Sequence, residues 1–164
     1  MISASHNPFQ DNGFKVFSCS GAKLSNAEEE ALEAAVLDKS ASVESVRAGN
    51  MGRILLLEDG RHRYAEFLRR TIPSRLTLKG LRVVLDTANG AAFETAPAVF
   101  RDLGAEVEVI HDRPDGTNIN AGCGSEDTAE LQARVCRAGA HAGLAFDGDA
   151  DRLIAVDEAG KRLT

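Results

Sequence analysis

Three aspartates at alternate positions near the end of the chain form its most chemically informative feature. The segment 147–152 reads DGDADR, so only small residues separate Asp147, Asp149 and Asp151. Three carboxylates this close together repel one another unless a cation lies between them, and a tight loop can turn all three inward. Hard oxygen ligands suit magnesium or calcium better than zinc. The sequence therefore predicts a divalent-cation site in this segment, which we call the aspartate loop.

Two other interpretations of the aspartate loop remain open from the residues alone. The spacing fits an EF-hand, with Glu158 at the twelfth position, but Arg152 stands where that loop needs glycine. The residues on both sides also predict strands, whereas an EF-hand needs helices. The loop could equally be a solvated acidic turn between two strands. Arg152 favours a loop that pairs its carboxylates or binds phosphate.

A second polar segment lies near the start of the chain. Residues 5–8 read SHNP, which places a nucleophile, Ser5, beside a base, His6. Adjacent residues rarely form a nucleophile–base pair, and the chain has no G-x-S-x-G motif, so Ser5 taken alone is better interpreted as a capping or turn serine. Lys15 follows a turn signal at 11–13, and alone it would be an exposed strand lysine.

The second half of the chain alternates strand and helix patterns. Strands are predicted over four segments: 81–86, 107–110, 142–146 and 153–156. Helices are predicted at 26–37, 61–71, 90–103 and 128–138, with Pro97 delaying or kinking the third. This order predicts an α/β fold, a three-layer α/β/α arrangement with a mostly parallel sheet. Ligands gather at the carboxyl ends of such strands, where Asp147 falls.

Segments before this alternation are less regular. Residues 14–17 predict a short strand, Ser25 opens a capping box, and residues 38–50 indicate a connection between domains. No apolar run in the sequence approaches the roughly 20 residues that span a bilayer, and the first residues do not have the pattern of a signal peptide. We therefore expect no membrane partner.

Composition excludes several function classes. The 164 residues carry a net charge of −6, so a nucleic-acid partner is not expected, because such proteins usually present a basic stripe. The three cysteines, Cys19, Cys123 and Cys136, are too widely spaced for a disulfide framework or a zinc knuckle. A reducing, cytoplasmic location fits best.

Three motifs in this order resemble the α-D-phosphohexomutase family: SASHNP at 3–8, DNGFK at 11–15 and DGDADR at 147–152. The loop PDGTNINAGCG at 114–124 resembles the branch that acts on glucosamine phosphates, and sibling branches acting on mannose or glucose phosphates are the alternative. The resemblance implies three pieces of a four-domain enzyme. Residues 1–50 would be the end of domain I, 51–152 domain II, and 153–164 the start of domain III.

The resemblance also implies a mechanism. Ser5 would carry a phosphoryl group, and one Mg²⁺ would be bound by Asp147, Asp149, Asp151 and a phosphoserine oxygen. Glucosamine 6-phosphate and glucosamine 1-phosphate would interconvert through a bisphosphorylated sugar, which also acts as activator.

The remaining site residues are assigned in the same way. His6 and Lys15 would lie near the phosphoserine, with Lys15 exchanging a proton with the sugar hydroxyl. Asn7 would shape the serine loop, and Arg152 would contact phosphate. The family's third-domain loop that reads the sugar and its fourth-domain loop that binds the non-reacting phosphate have no counterpart in 1–164. We therefore expect this polypeptide alone to be inactive. We also expect residues 1–50 to be mobile or to pair with another copy.

Overall fold

The computed structural model describes residues 1–38 and 53–163, and it divides into two compact units. Unit 1 comprises Met1 and Phe14–Leu57, and unit 2 comprises Ile2–Gly13 and Glu58–Thr164. Apart from Asp38, the connection predicted at 38–50 lies outside the described residues. Within the described ranges, no helix is long and apolar enough to cross a membrane.

The first elements are short. Strands β1 (Ile2–Ser3) and β2 (Gly13–Phe14) have two residues each. The strand predicted at 14–17 is therefore wrong beyond Phe14. The chain turns after Phe17 instead, and the Ser18 amide donates to the Ala22 carbonyl across this turn. Phe17 itself forms only an isolated bridge with Lys23.

Helix α1 of unit 1 spans Asn26–Leu37, as predicted, and its start follows from the capping box. The Ser25 hydroxyl accepts from the Glu28 amide at 3.4 Å, while the Glu28 carboxylate accepts from the Ser25 amide at 2.8 Å. These bonds satisfy helix-terminal amides that would otherwise lack partners. Apolar side chains of this unit, such as Phe14 and Val36, are largely exposed.

Unit 2 contains the regular alternation that the sequence predicts. Its elements are α2 (Gly60–Thr71), β3 (Arg82–Asp86), α3 (Thr95–Asp102), β4 (Glu106–Ile110), α4 (Ala129–Ala138), β5 (Ala142–Phe146) and β6 (Leu153–Asp157). The sheet order is β4-β3-β5-β6; β3 is parallel to β4 and β5, and β6 is antiparallel to β5. The mostly parallel α/β class is confirmed. Helix α3 begins late, which is one of the two effects predicted for Pro97, and Pro97 lies in its first turn, where a missing amide costs little.

Alternation along the strands supplies one core on each face of the sheet. Val84 and Ala145 pack with Leu131 and Val135 of α4 on one face. The other face has its own apolar cluster: Val83, Leu85, Leu144, Phe146, and Ala96 and Phe100 from the α3 region. Helices therefore cover both faces and produce three layers.

The strand order fixes where a site can form. β4 lies on one side of β3 and β5 on the other, so the chain reverses direction across the sheet between them. In sheets of this type, ligands bind in the crevice at the carboxyl ends of the strands beside the reversal. Asp86 ends β3 and Asp147 follows β5, so both carboxylates belong to this edge.

Candidate active site

The aspartate loop folds back on its first carboxylate. One oxygen of Asp147, Oδ1, accepts hydrogen bonds from the amides of Asp151 and Arg152, each at 3.1 Å. The Ala150 amide donates to the Asp147 carbonyl at 3.0 Å, and Ala150 adopts a left-handed φ of 61°. The loop is thereby closed around a side chain that is completely buried.

The second oxygen of Asp147 has properties that suit a cation ligand. This Oδ2 atom is buried and has no hydrogen-bond partner. Burial raises the pKa of Asp147; the Arg152 amide opposes this, and the charges of Asp151 and Asp149 raise the pKa further. An unpartnered buried carboxylate oxygen beside two more carboxylates is costly unless a positive charge compensates it. The donor set therefore fits a hard divalent cation.

Residues 3–8, which we call the serine loop, lie directly against the aspartate loop. The Ser3 hydroxyl donates to Asp149 Oδ1 at 2.5 Å, and it accepts from the Ser5 amide at 3.0 Å. A Cβ placed on Gly148 would overlap the Ser5 carbonyl oxygen. Two motifs that lie far apart in the sequence are thus in contact, as the sequence hypothesis requires.

The aspartate loop is also in close backbone contact with the loop that follows β3. A Cβ on Gly90, in the loop after β3, would lie 2.5 Å from the Gly148 carbonyl oxygen. That carbonyl accepts a hydrogen bond from the Ala91 amide at 2.8 Å. The β3 loop, the aspartate loop and the serine loop therefore pack backbone to backbone, and glycine allows the close approach at both contacts.

Asn120 is a site residue that the sequence reasoning missed. Its side-chain amide donates to the carbonyls of Ser5 and Asn7, both at 2.8 Å. Its own backbone amide donates to the Ala88 carbonyl at 3.0 Å, and its φ is 56°. From the sequence, the segment 114–124 is notable only for its branch resemblance. Its placement after β4 was the available signal, because strand-end loops carry ligand-binding groups.

Ser5 itself is held in an unusual conformation. Its φ is 53°, a left-handed value that non-glycine residues seldom adopt, and such strain concentrates at functional sites. Its hydroxyl lies 3.5 Å from His6 Nδ1, at the long limit for a hydrogen bond. His6 therefore lies within reach of the hydroxyl, although the contact is weak.

The other predicted site residues differ in how they relate to this cluster. The carbonyl of Asn7 accepts a hydrogen bond from the Asn120 side chain, so Asn7 is part of the contact that holds the serine loop. Arg152, in contrast, is exposed. Lys15 belongs to unit 1, so its predicted role stays a prediction. The EF-hand alternative is wrong, because strands β5 and β6 flank the aspartate loop.

The fold and site define a class: a three-layer α/β domain whose strand-end aspartate loop is hydrogen-bonded to the loop that carries a strained serine. The family model for phosphoglucomutase/phosphomannomutase alpha/beta/alpha domain II matches residues 62–160. The model for alpha/beta/alpha domain I of the same family matches residues 1–43. The chain belongs to the phosphoglucomutase/phosphomannomutase family, which confirms the resemblance noted from its motifs.

Named relatives refine this assignment. The chain is 50% identical over 164 residues to a phosphoglucosamine mutase of Syntrophobacter fumaroxidans, and 51% identical to one of Syntrophus aciditrophicus. Each match covers 100% of this chain but 36% of the relative, so the chain spans about a third of their length. A crystal structure of a family protein from Burkholderia thailandensis matches with a TM-score of 0.74 and 27% identity, covering 98% of this chain and 33% of that one. Within the family, the chain resembles the phosphoglucosamine mutases, and membership implies a metal cofactor.

Proposed function

We propose that this chain is the phosphoryl-carrying and metal-binding part of a phosphoglucosamine mutase. This isomerase would interconvert glucosamine 6-phosphate and glucosamine 1-phosphate. The observation that carries the proposal is the hydrogen bond from Ser3 to Asp149, which joins the serine loop to the aspartate loop. The relatives named above support the choice of branch. A phosphomannomutase or phosphoglucomutase is the alternative within the family.

In this proposal the Ser5 hydroxyl carries the transferred phosphoryl group. One Mg²⁺ would be held by Asp147, Asp149, Asp151 and a phosphoserine oxygen, and it would neutralise phosphoryl charge during transfer. The phosphoryl group leaves Ser5 Oγ for a sugar hydroxyl, which gives a bisphosphorylated sugar. The other phosphoryl group of that intermediate then returns to Ser5. Positioning and charge stabilisation account for most of the rate in such transfers.

Four further residues complete the proposed site. Lys15 accepts the proton of the attacking sugar hydroxyl, and His6 orients the Ser5 hydroxyl, which it approaches to 3.5 Å. Asn7 shapes the serine loop, and the exposed Arg152 guanidinium contacts substrate phosphate. The substrate is a small hexosamine phosphate.

The wider setting follows from the same proposal. Residues 1–50 represent the end of family domain I, 51–152 domain II, and 153–164 the start of domain III. All three cysteines are free thiols, which supports a reducing, cytoplasmic location.

Phosphorylation of Ser5 is the direct test of the proposed function. In the whole mutase of which we propose this chain to be part, incubation with glucosamine 1,6-bisphosphate and Mg²⁺ should place one phosphoryl group on the peptide containing Ser5, detected and localised by fragment mass spectrometry. Chelation of Mg²⁺ and the Ser5→Ala variant should each abolish it, while Ser20→Ala, a change at an exposed turn serine, should not. Phosphate on Ser3 alone, or none, would contradict the proposal.

A polypeptide of these 164 residues is expected to show no mutase turnover by itself. It corresponds to 36% of the relatives' length, so groups elsewhere in those proteins that orient the sugar have no counterpart in it. Lost orientation can remove many orders of magnitude in rate. A coupled assay for glucosamine 1-phosphate measures this, and clear turnover by the isolated chain would refute the expectation.

A further inference from the structure

A second cluster of metal-ligating side chains lies at the same edge of the sheet as the aspartate loop. Asp86 is the last residue of β3, His111 follows the last residue of β4, and Cys123 lies in the loop before α4. Each offers one ligand atom, and these atoms all lie within 4.8 Å of one another. The cluster shares no residue with the aspartate loop, and the proposed phosphoryl transfer does not use it.

The imidazole of His111 has the surroundings of a metal ligand. Its Nε2 lies 3.2 Å from a Glu130 carboxylate oxygen, and its Nδ1 lies 3.1 Å from Asp86 Oδ1. Nδ1 is a buried atom, and its contact with Asp86 Oδ1 does not have the geometry of a hydrogen bond. In metal sites, a ligating histidine usually presents its other nitrogen to a carboxylate, which fixes the ring and strengthens the ligand. Glu130 occupies that position, and Nδ1 faces Asp86 within the cluster.

Asp86 and His111 are both held rigidly. The Asp86 oxygens accept hydrogen bonds from the amides of Ala88 and Gly124, each at 2.9 Å. Gly124 has a φ of +72°, and a Cβ there would lie 2.7 Å from Ala88 Cβ, so glycine is required. The carbonyl of His111 accepts a hydrogen bond from the Thr87 hydroxyl at 2.7 Å. The backbone of His111 has a left-handed φ of 53°. Preorganised ligands of this kind lose little entropy when a metal binds.

The local charge also favours a cation. The side chains of Asp86 and Cys123 are fully buried, and His111 is 20% exposed. The carboxylates of Asp86, Asp127 and Glu130 all act electrostatically on Cys123, so a divalent cation bound there would enter a negative field.

We propose that Asp86, His111 and Cys123 bind one zinc ion at the carboxyl edge of the sheet. Thiolate, imidazole and carboxylate together are a zinc ligand set, whereas the all-oxygen aspartate loop suits magnesium. A fourth ligand, such as water, would complete the tetrahedral set that zinc prefers. The ion fixes the ends of β3 and β4 to the loop that carries Asn120, and so supports the backbone beneath the serine loop. The proposal does not depend on the mutase assignment.

Cobalt is the probe that tests this site. The metal-free chain is titrated with Co²⁺ in excess Mg²⁺, and we expect one equivalent to produce the near-ultraviolet absorption of a cobalt–thiolate bond. Zn²⁺ should displace it stoichiometrically. The double variant Cys19→Ser/Cys136→Ser removes the two exposed thiols and should keep the absorption. Cys123→Ser should lose it, and Asp149→Asn, which alters the aspartate loop, should keep it.

A further variant protects the test against misfolding at the buried cysteine. Glu130 is exposed and lies behind the imidazole, so Glu130→Gln should fold normally and bind Co²⁺ about 10- to 100-fold more weakly. No cobalt–thiolate absorption in the wild-type chain would overturn the proposal. Absorption retained by Cys123→Ser, or unchanged affinity in Glu130→Gln, would also overturn it.

Discussion

Replacing Asp147 with asparagine is expected to lower Mg²⁺ affinity at the aspartate loop by at least about 100-fold, or about 2.7 kcal/mol. Asparagine retains an oxygen that can accept from the amides of Asp151 and Arg152, so the loop can keep its shape. It replaces the unpartnered Oδ2 with an NH₂ group, which cannot bind a cation. The change therefore removes a metal ligand with little loss of backbone order.

The same variant should be more stable than the wild type when no metal is present. Burial and the neighbouring carboxylates raise the pKa of Asp147, so at neutral pH its charge opposes folding. As the pH falls from above this raised pKa to the ordinary aspartate value, the metal-free wild type should gain stability, and Asp147→Asn should lack that gain. Below the ordinary value both states are protonated and the gain is complete.

Calorimetric melting with and without Mg²⁺, together with Mn²⁺ binding followed by electron paramagnetic resonance, measures both effects. The variant should melt higher than the wild type without metal and lower with saturating Mg²⁺. Asp102→Asn is the matched control, because it makes the same chemical change at an exposed position on α3. Wild-type metal affinity in Asp147→Asn would exclude the proposed cation site.

Replacing Gly148 with alanine is expected to reduce Ser5 phosphorylation about 100-fold, since misplacement of a reacting group by about 1 Å has effects of this size. The added Cβ would overlap the Ser5 carbonyl oxygen and would lie 2.8 Å from Ile119 Cδ1 and 2.9 Å from Asn120 Nδ2. The first of these contacts is with backbone, which cannot move aside as a side chain can. The serine loop must therefore separate from the aspartate loop.

Hydrogen exchange over residues 3–7 and mass spectrometry of Ser5 would report that separation. Gly13→Ala is the control, because a Cβ there meets nothing within 4 Å. Asn120→Asp should loosen the same loop without adding volume, since a carboxylate cannot donate to the carbonyls of Ser5 and Asn7. Unchanged exchange and phosphorylation in Gly148→Ala would show that the contact has no role in positioning Ser5.

Much of unit 2 could be predicted because its signals are local. The alternation of Val83, Val84 and Leu85 between the two cores is already visible as a strand, and the regular change from strand to helix specifies the layers. Asp147 could be assigned to a strand end for the same reason. The strand predicted at 14–17 failed because the turn at Ser18 ends it, and a short apolar run carries no information about its pairing partner.

The contacts that assemble the site could not be predicted in this way. Asn120 is one of two asparagines in a glycine-rich loop, and nothing in its neighbours distinguishes it from an ordinary turn residue. Its role depends on two carbonyls more than one hundred positions earlier in the chain. The cluster of Asp86, His111 and Cys123 is similar, because its members come from three separate strand ends or loops and show no metal-binding spacing.

The stacked backbones of Gly90, Gly148 and Ser5 have a mechanical consequence. A side chain can accommodate a small displacement of its neighbour by changing rotamer, but main-chain atoms in contact cannot adjust in this way. A shift of the β3 loop would therefore be transmitted through Gly148 to Ser5 almost undiminished. Insertions or bulky residues near Gly90 would therefore change the position of Ser5, even though Gly90 carries no functional group of its own.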